Sequence, residues 1–310
     1  MNPDEILKFL RLTYTALSDG ALLALIALAL VLIYKATDVI NFANGEFMLV
    51  GGYIGYQLLV WLQVIESPSV AVLLAVIGMV VATTLVGVLV ERLVLRPLIG
   101  EPIISVIMVT IGLSNVMQAI VGLIWGKNPR PLPIDIIPRF SPFRIELEGA
   151  RRPLNLLPDT LIILVIAFIL VGGLLLFFSR SKHGIAMRAT ADDQQAAMSM
   201  GISIRFIFAL TWSLAAIAAA VAGLIIAHVT NGVSGDIPGV GLRAFPVIIL
   251  GGLDSIAGAI IGGFAIAFIE TFASGYIDPG LKTVSPYLVL LIVLMIKPYG
   301  LFGQKRIERV

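Results

Sequence analysis

Long apolar runs alternate with short polar stretches along the chain. A helix needs about 20 mainly apolar residues to cross the roughly 30 Å hydrocarbon core of a bilayer. By this measure the hydrophobic elements lie near residues 17–34, 39–63, 70–95, 103–125, 159–178, 206–228, 242–270 and 286–300. Runs this long and this apolar favour helices over membrane strands. The pattern therefore predicts an all-α polytopic membrane protein with about eight hydrophobic helical elements, in which residues 1–310 form a single transmembrane domain.

Composition agrees with this fold class and excludes several functions. Hydrophobic residues make up 59% and charged residues 13% of the chain, whereas about a quarter of a soluble domain is charged. A net charge of +2 indicates no nucleic-acid partner, and the absence of cysteine excludes disulfides, thiolate metal sites and thiol nucleophiles. We expect no catalytic and no metal-binding residues, which argues against a membrane-embedded enzyme. Residues 1–12 are interpreted as a short interfacial helix.

Basic residues in short loops predict the orientation, because such loops stay in the cytoplasm. The loop at 179–205 carries Arg180, Lys182, Arg188 and Arg205, and the tail carries Lys297, Lys305, Arg306 and Arg309. Both are expected to be cytoplasmic. Residues 127–158 then form an extracytoplasmic loop, and its seven prolines between 129 and 158 make it extended rather than helical.

Counting spans indicates that the hydrophobic element at 242–270 is broken. As one simple span it would place the basic tail outside. The stretch from Leu250 to Gly258 (Leu-Gly-Gly-Leu-Asp-Ser-Ile-Ala-Gly) is poor material for a continuous helix. We expect two pieces that meet near Asp254, either re-entrant or as a pair of tilted crossings. A second broken or re-entrant segment is expected near 41–55.

A polar stretch between two apolar runs, Arg188 to Gly201, predicts a short helix outside the bilayer. Alanine, glutamine and methionine favour helix, and Asp192 and Asp193 suit a helix N-terminus. Gly201 suits its end. A membrane protein needs such a helix when a soluble partner acts on it.

Polar residues inside the apolar elements are the candidates for a transport pathway or for helix breaks. A charge at mid-membrane costs about 2.5–3.5 kcal/mol on insertion scales. Glu46 lies either at the solvated interface or on a pathway, and Asp254 either caps a helix or contacts substrate. Asn115 and Gln118, one helical turn apart, are expected to bond a neighbouring helix rather than to line a cavity. Interrupted helices of this kind build polar sites in transporters, so the candidates are Asn41, Asn44, Glu46, Gly251, Gly252 and Asp254.

Four segments in order resemble the permease subunits of ABC importers for branched-chain amino acids. They are Asn41-Phe-Ala-Asn-Gly-Glu-Phe-Met48, Arg188 to Gly201, Gly241 to Gly258, and Lys297-Pro-Tyr-Gly-Leu-Phe-Gly303. Asn44 stands where the family usually has histidine, and Gln195 stands where the Glu-Ala-Ala-x-x-x-Gly pattern of the coupling segment has glutamate. The second departure puts a specific salt bridge at that position in doubt.

The resemblance implies an ATP-driven importer that moves leucine, isoleucine or valine by alternating access. Implied partners are a second permease, homologous or identical, two ABC ATPase subunits, an extracytoplasmic substrate-binding protein and the bilayer of a bacterial cytoplasmic membrane. This chain would bind no cofactor, since it has no nucleotide-binding motif; ATP and magnesium belong to the ATPases. The residues expected to couple to them are Asp192, Asp193, Gln195, Ala196, Ala197, Met198 and Gly201. Alternatives are a permease for urea or short amides, and an ion-coupled secondary transporter.

Overall fold

The computed structural model confirms the helical membrane architecture. It describes residues 3–37, 39–99, 101–138, 140–146, 148 and 153–303. Among these, six helices are long and apolar enough to cross a membrane. These are α1 (Pro3–Thr37), α3 (Pro68–Val90, continued by turns to Leu98), α4 (Ile103–Trp125), α5 (Pro158–Arg180), α8 (Ile204–Val229) and α11 (Ile256–Tyr276).

The remaining helices are shorter or more polar. They are α2 (Asn44–Leu62), α6 (Lys182–Asp192), α7 (Gln194–Ser199), α9 (Ile237–Leu242), α10 (Ala244–Gly251) and α12 (Leu281–Ile296). Short strands lie in the connections: β1 (Arg130–Pro131), β2 (Phe143–Ile145), β3 (Leu154–Leu156) and β4 (Gly232–Val233). The basic tail from residue 304 onward, and Arg139, Arg151 and Arg152 of the predicted outer loop, lie outside the described residues.

The chain forms two compact units. Unit 1 comprises Met1–Ala27, Ile137–Val171 and Arg243–Val310, and unit 2 comprises Leu28–Ile136 and Gly172–Leu242. The predicted single permease domain over residues 1–310 stays a prediction.

Unit 2 is organised around α8, which packs against α2 and α3. Small residues let the backbones approach closely: Gly51 of α2 lies against Ala220, and Gly223 of α8 lies against the carbonyl group of Met48. A Cβ atom at either glycine would collide with the facing helix. The small-residue spacings at these positions therefore serve packing, as is typical of membrane helices.

Two connections of unit 2 meet at one end. Strand β1, which follows α4, pairs antiparallel with β4, which follows α8, in the register Arg130 with Val233. The chain segments after α4 and after α8 therefore lie at the same end of this unit.

Unit 1 brings α1 and α11 together through small residues and aromatic rings. Gly20 lies against Phe264, and Gly263 lies against Ala24. Phe9 makes an edge contact with Phe272, with ring centroids 5.5 Å apart. Since aromatic pairs of this geometry add to the burial of apolar area, this seam holds the first helix onto the C-terminal helices.

The predicted break at 242–270 is confirmed, but its pieces are unequal. The short α10 ends at Gly251, and α11 begins at Ile256 and has the length of a full span. Gly252 has a left-handed φ of 104°, a conformation that favours glycine. Ser255 rather than Asp254 caps α11, because its hydroxyl oxygen accepts a hydrogen bond from the amide of Gly258 at 2.9 Å. The cap predicted at Asp254 is therefore at the next residue, Ser255.

Two other expectations need correction. The separate interfacial helix predicted at the N-terminus is wrong, because Pro3–Thr37 is one continuous helix. The break near 41–55 is confined to its start: α2 is continuous from Asn44, and the residues from Asn41 to Ala43 precede the helix. The glycines within α2 serve contact with α8 and do not interrupt the helix.

The close contact of α2 and α8 makes a stability prediction. In G223A the added methyl group meets the backbone of Met48, and overpacking of this kind costs about 1–3 kcal/mol. We expect a lower unfolding temperature in detergent. The control is G172A on α5, where nothing lies within 4 Å of an added Cβ and helix propensity favours alanine by about 0.5–1 kcal/mol. Equal unfolding temperatures for the two variants would contradict the packing described for α8.

Candidate functional site: an acid-lined cavity and a short exposed helix

Glu46 is a buried acid at the start of α2. The residue is 4% exposed, and its Oε1 accepts a hydrogen bond from Nε2 of Gln118 on α4 at 2.8 Å. The predicted contact of Gln118 with a neighbouring helix is thus observed, but Gln118 also lines a cavity, which was not expected. The same prediction is wrong for Asn115, whose amide bonds the carbonyl of Ile111 in its own helix.

Contacts along α4 place this acid away from the helix ends. The amide of Phe42 lies 3.4 Å from the hydroxyl of Thr110, and Gln57 accepts a hydrogen bond from Trp125 at 2.9 Å. Glu46 is level with Gln118, which at 1.5 Å per residue lies about 10 Å along the axis before the end of α4. The chain therefore enters α2 beside the middle of a span, and Glu46 is buried rather than solvated at an interface.

A cavity of about 540 Å³ opens beside this pair within unit 2. From α4, Ile111, Ser114 and Gln118 face it at the spacing of one helix face. Its full lining is Phe42, Gly45, Glu46, Ile111, Ser114, Gln118, Gly235, Asp236, Pro238, Gly239 and Leu242. Two carboxylates, a hydroxyl and an amide thus share one cavity with aliphatic and aromatic side chains, a combination typical of sites for small ligands.

Tight backbone contact positions this corner of the cavity. A Cβ at Gly45 would lie 2.7 Å from the carbonyl oxygen of Pro238, so only glycine lets the start of α2 approach the α9 segment. Asn41 holds the turn before α2, since its Oδ1 accepts from the amide of Ala43 at 3.0 Å. The side-chain amide nitrogens of Asn41 and Asn44 are buried without a hydrogen-bond partner among the described residues.

The predicted coupling segment is two helices rather than one. Arg188 to Asp192 end α6, and α7 begins at Gln194. Asp193 caps α7, because its Oδ1 accepts from the amides of Gln195 and Ala196 at 2.8 and 2.9 Å. Gly201, with a φ of 81°, follows the end of α7. An acid at the helix start and a glycine after its end are as predicted, but Asp192 belongs to the preceding helix.

The two faces of α7 differ. Ala197 is buried and packs with Ile204 and Phe208 of α8. Ala196 and Gln195 are exposed, and Met198 is 54% exposed. Ala197 therefore anchors the helix to its own protein and does not offer its side chain to a partner.

The pathway candidates fall into two separate groups. Asn41, Asn44 and Glu46 belong to unit 2 and cluster at the start of α2. Gly251, Gly252 and Asp254 belong to unit 1, where the two glycines serve close packing: Gly251 lies against Gly258, and Gly252 against Gly303. Of these six candidates Glu46 alone lines the cavity, whereas the second group forms a tight turn.

Unit 1 contains an ion pair that the hydrophobic pattern did not indicate. Glu270 of α11 is fully buried, and Arg243 donates to it through its guanidinium group. A second ion pair of the same unit joins Lys282 of α12 to Asp19 of α1 at 3.5 Å. The predicted element stopped at residue 270, which placed Glu270 at a membrane surface; the observed helix continues to Tyr276. Within the described residues no group of three or more His, Cys, Asp or Glu side chains is placed to hold a metal ion.

The pairing of Glu46 with Gln118 makes a second prediction. In Q118L the buried carboxylate loses the hydrogen bond that the structure gives it, and leaving a buried polar group without its partner costs about 1–3 kcal/mol. We expect a lower unfolding temperature in detergent. The matched control, N115L, removes an exposed amide that bonds its own helix, and we expect it to unfold like the wild-type protein. Equal losses of stability in the two leucine variants would show that Gln118 does not stabilise the protein through its contact with Glu46.

Known proteins of one family match this chain over nearly its whole length. The profile of the family described as "Branched-chain amino acid transport system / permease component" matches residues 12–296. The "High-affinity branched-chain amino acid transport system permease protein BraD" of Pseudomonas aeruginosa is 31% identical over 312 residues, which cover 99% of each chain. The corresponding LivH protein of Escherichia coli is 28% identical, also with 99% of each chain covered.

A further relative covers slightly less of the chain. A "Probable branched-chain amino acid transport permease protein LivH" of Methanocaldococcus jannaschii is 28% identical and covers 93% of this chain and 91% of that protein. A solved structure of PsaBC from Streptococcus pneumoniae in complex with Fab covers 92% of this chain and 91% of that chain, but its TM-score of 0.47 at 11% identity is too weak a likeness to carry an argument. With a profile match over most of its length and full-length relatives, the chain belongs to the family of permease components of branched-chain amino acid transport systems.

Proposed function

We propose that this chain is one permease subunit of an ATP-driven importer for branched-chain amino acids. The relatives supply the system and the substrate class, since their names describe branched-chain amino acid transport. The observation on this chain that carries the proposal is α7: a short helix between two spans, anchored to α8 by Ala197 on one face and exposed through Met198 on the other. Such a helix suits contact with a soluble, moving partner.

The partner that this helix fits is an ABC ATPase in the cytoplasm, which binds the ATP and magnesium that this chain does not. Beside α7 lies a groove of about 520 Å³, lined by Met198, Arg96 and Arg205 among others. Arg96 is held there by Glu91, with 2.7 Å between Nη2 and the carboxylate. In this arrangement the ATPase contacts the exposed residues Gln195, Ala196 and Met198, while Asp193 and Gly201 fix the ends of the helix.

A chain of packed helices leads from this surface to the cavity. Ala197 packs on Ile204 and Phe208 at the base of α8. Further along α8, Gly223 contacts Met48 of α2, two residues after Glu46. Rocking of α7 by the ATPases would therefore tilt α8 and move α2, which changes access to the cavity. This is an alternating-access mechanism carried by rigid helices with no room between them.

The proposed orientation follows from charge and connectivity. Arg180, Lys182, Arg188 and Arg205 flank α6 and α7, and short basic loops stay in the cytoplasm. The segments that carry β1 and β4 then lie outside, where a substrate-binding protein delivers its ligand. The basic tail is assigned to the cytoplasm, and a second permease, homologous or identical, completes the pathway in the cytoplasmic membrane. Urea or a short amide is the second candidate substrate, since the same importer class carries such solutes.

Placing a charge on the exposed face of α7 tests this proposal. In M198D we expect ATP-driven uptake of L-leucine by the reconstituted importer to fall about tenfold or more, because central contacts carry about 2 kcal/mol or more of binding energy. Co-purification with the ATPase subunits should fall in parallel. The control, Q63D, adds the same charge at an exposed position in the turn after α2 and should behave like wild type.

The outcomes separate the alternatives. If M198D co-purifies with the ATPase subunits and takes up L-leucine normally, α7 does not contact the ATPase. Uptake by this chain without any ATPase subunit would instead indicate an ion-coupled secondary transporter. Ala197 is unsuitable for this test, since a charge there would disrupt packing on Ile204 and Phe208 and change the fold rather than the contact.

A further inference from the structure

We propose that the cavity beside α2 binds the ammonium group of the transported amino acid, with Glu46 as its principal partner. This inference rests on the proposed function and deepens it, because it distinguishes an amino acid from a neutral amide. It begins from the charge of the lining. Glu46 and Asp236 both face the cavity, and none of the described residues that line it is lysine, arginine or histidine. An acid-lined cavity attracts a cation, and urea offers none.

Glu46 has more hydrogen-bonding capacity than Gln118 uses. A carboxylate accepts about four hydrogen bonds, and the structure gives Oε1 one donor, from a neutral amide. An amide satisfies a hydrogen bond but does not compensate a charge, and a buried charge is stabilised by an opposite charge. Glu270 in unit 1 shows the contrasting case, since Arg243 supplies its countercharge from within the protein. A ligand ammonium would give Glu46 the countercharge that Gln118 does not.

The neighbouring acceptors match the donors of an ammonium group. An ammonium group of a primary amine has three N–H donors. Around it the cavity offers the carboxylate of Glu46, the hydroxyl of Ser114 and the side-chain carbonyl of Gln118, whose Nε2 is engaged with Glu46. Asp236 is more exposed, so it serves to attract the cation rather than to hold it.

Size and lining favour an organic ammonium over a metal cation. A hard cation requires several oxygen ligands converging at about 2.0–2.6 Å, whereas this cavity has a volume of about 540 Å³. Its apolar wall (Phe42, Ile111, Pro238 and Leu242) suits an aliphatic side chain, because burial of that side chain removes apolar surface from water. An α-amino acid with a branched aliphatic side chain combines both features.

Uptake of L-leucine tests the role of the charge with the binding protein held constant. The assembled importer is reconstituted in vesicles with saturating binding protein and internal ATP. Hydrogen bonds to charged groups contribute about 1.5–3 kcal/mol, so E46Q should lower leucine uptake about 10- to 100-fold. E46D, which keeps the charge, should retain more uptake than E46Q. The control E66Q removes an exposed acid in the turn after α2 and should transport like wild type.

A binding measurement on the purified permease and ATPase complex identifies the ligand group. A ligand that binds the folded state raises the unfolding temperature. We expect millimolar 3-methylbutylamine, which has leucine's ammonium but not its carboxylate, to raise it in wild type and not in E46Q. Its counterpart 4-methylpentanoate, which has the carboxylate but no ammonium, should raise the unfolding temperature of the wild-type complex less. Sodium chloride is compared with choline chloride to detect a metal-cation effect.

Each outcome is decisive. E46Q uptake within about twofold of wild type, equal stabilisation by the acid and the amine, no stabilisation by the amine, or stabilisation by sodium alone would overturn the ammonium site. If E46Q does not assemble, D236N replaces it, with a smaller expected loss of about two- to fivefold because an exposed charge is screened. Unchanged uptake in D236N would then overturn the proposal. Failure of the proposed function looks different: wild type itself would show no ATP-driven leucine uptake.

Discussion

The direct backbone contact between α2 and α8 is the constraint on which unit 2 depends. Gly51 and Gly223 remove side chains where the two helices meet, so Met48 and Ala220 lie against bare backbone. In a bilayer, close packing of this kind replaces the hydrophobic effect as the force that holds helices together. In the proposed mechanism, movement of α8 is passed to α2 through this contact. The contact would thus connect the short helix at the base of α8 with the cavity at the start of α2.

Three acids are buried among the described residues, Glu46, Glu91 and Glu270, and the last two each have an arginine as partner. Glu270 has Arg243 as its partner and needs nothing further, so the pair serves to fix helices of unit 1. Glu46 has an amide partner and an adjoining cavity. Ionisable residues within membrane spans are functional candidates by default. What distinguishes these two is the partner, which is visible in the structure and not in the hydrophobic pattern.

Much of the fold could be predicted because apolar runs and their interruptions have direct physical consequences. The spans, the break between α10 and α11, the acid that caps α7 and the glycine after its end all follow from length, propensity and capping. The same reasoning could not separate α6 from α7, since Asp192 and Asp193 are equally good helix starters and the choice depends on tertiary packing. The burial of Ala197, which was expected to couple to the ATPases, also could not be predicted, because Ile204 and Phe208 of α8 fix the orientation of this six-residue helix. The Arg243 and Glu270 pair escaped notice because the two residues lie at opposite ends of the predicted 242–270 element.

The proposed mechanism requires an aqueous cavity at the interrupted start of α2, inside the membrane span. Access to this cavity must change during the transport cycle. Since the chain contains no cysteine, a single introduced thiol reports accessibility without background. The most direct measurement is the rate at which a membrane-impermeant, positively charged thiol reagent labels S114C in the reconstituted importer, with and without ATP. We expect labelling whose rate changes when ATP is added, while L123C, at a position 86% exposed on the apolar surface of α4, stays unlabelled. If S114C resists the reagent in both conditions, as L123C should, the cavity is not part of the transport route.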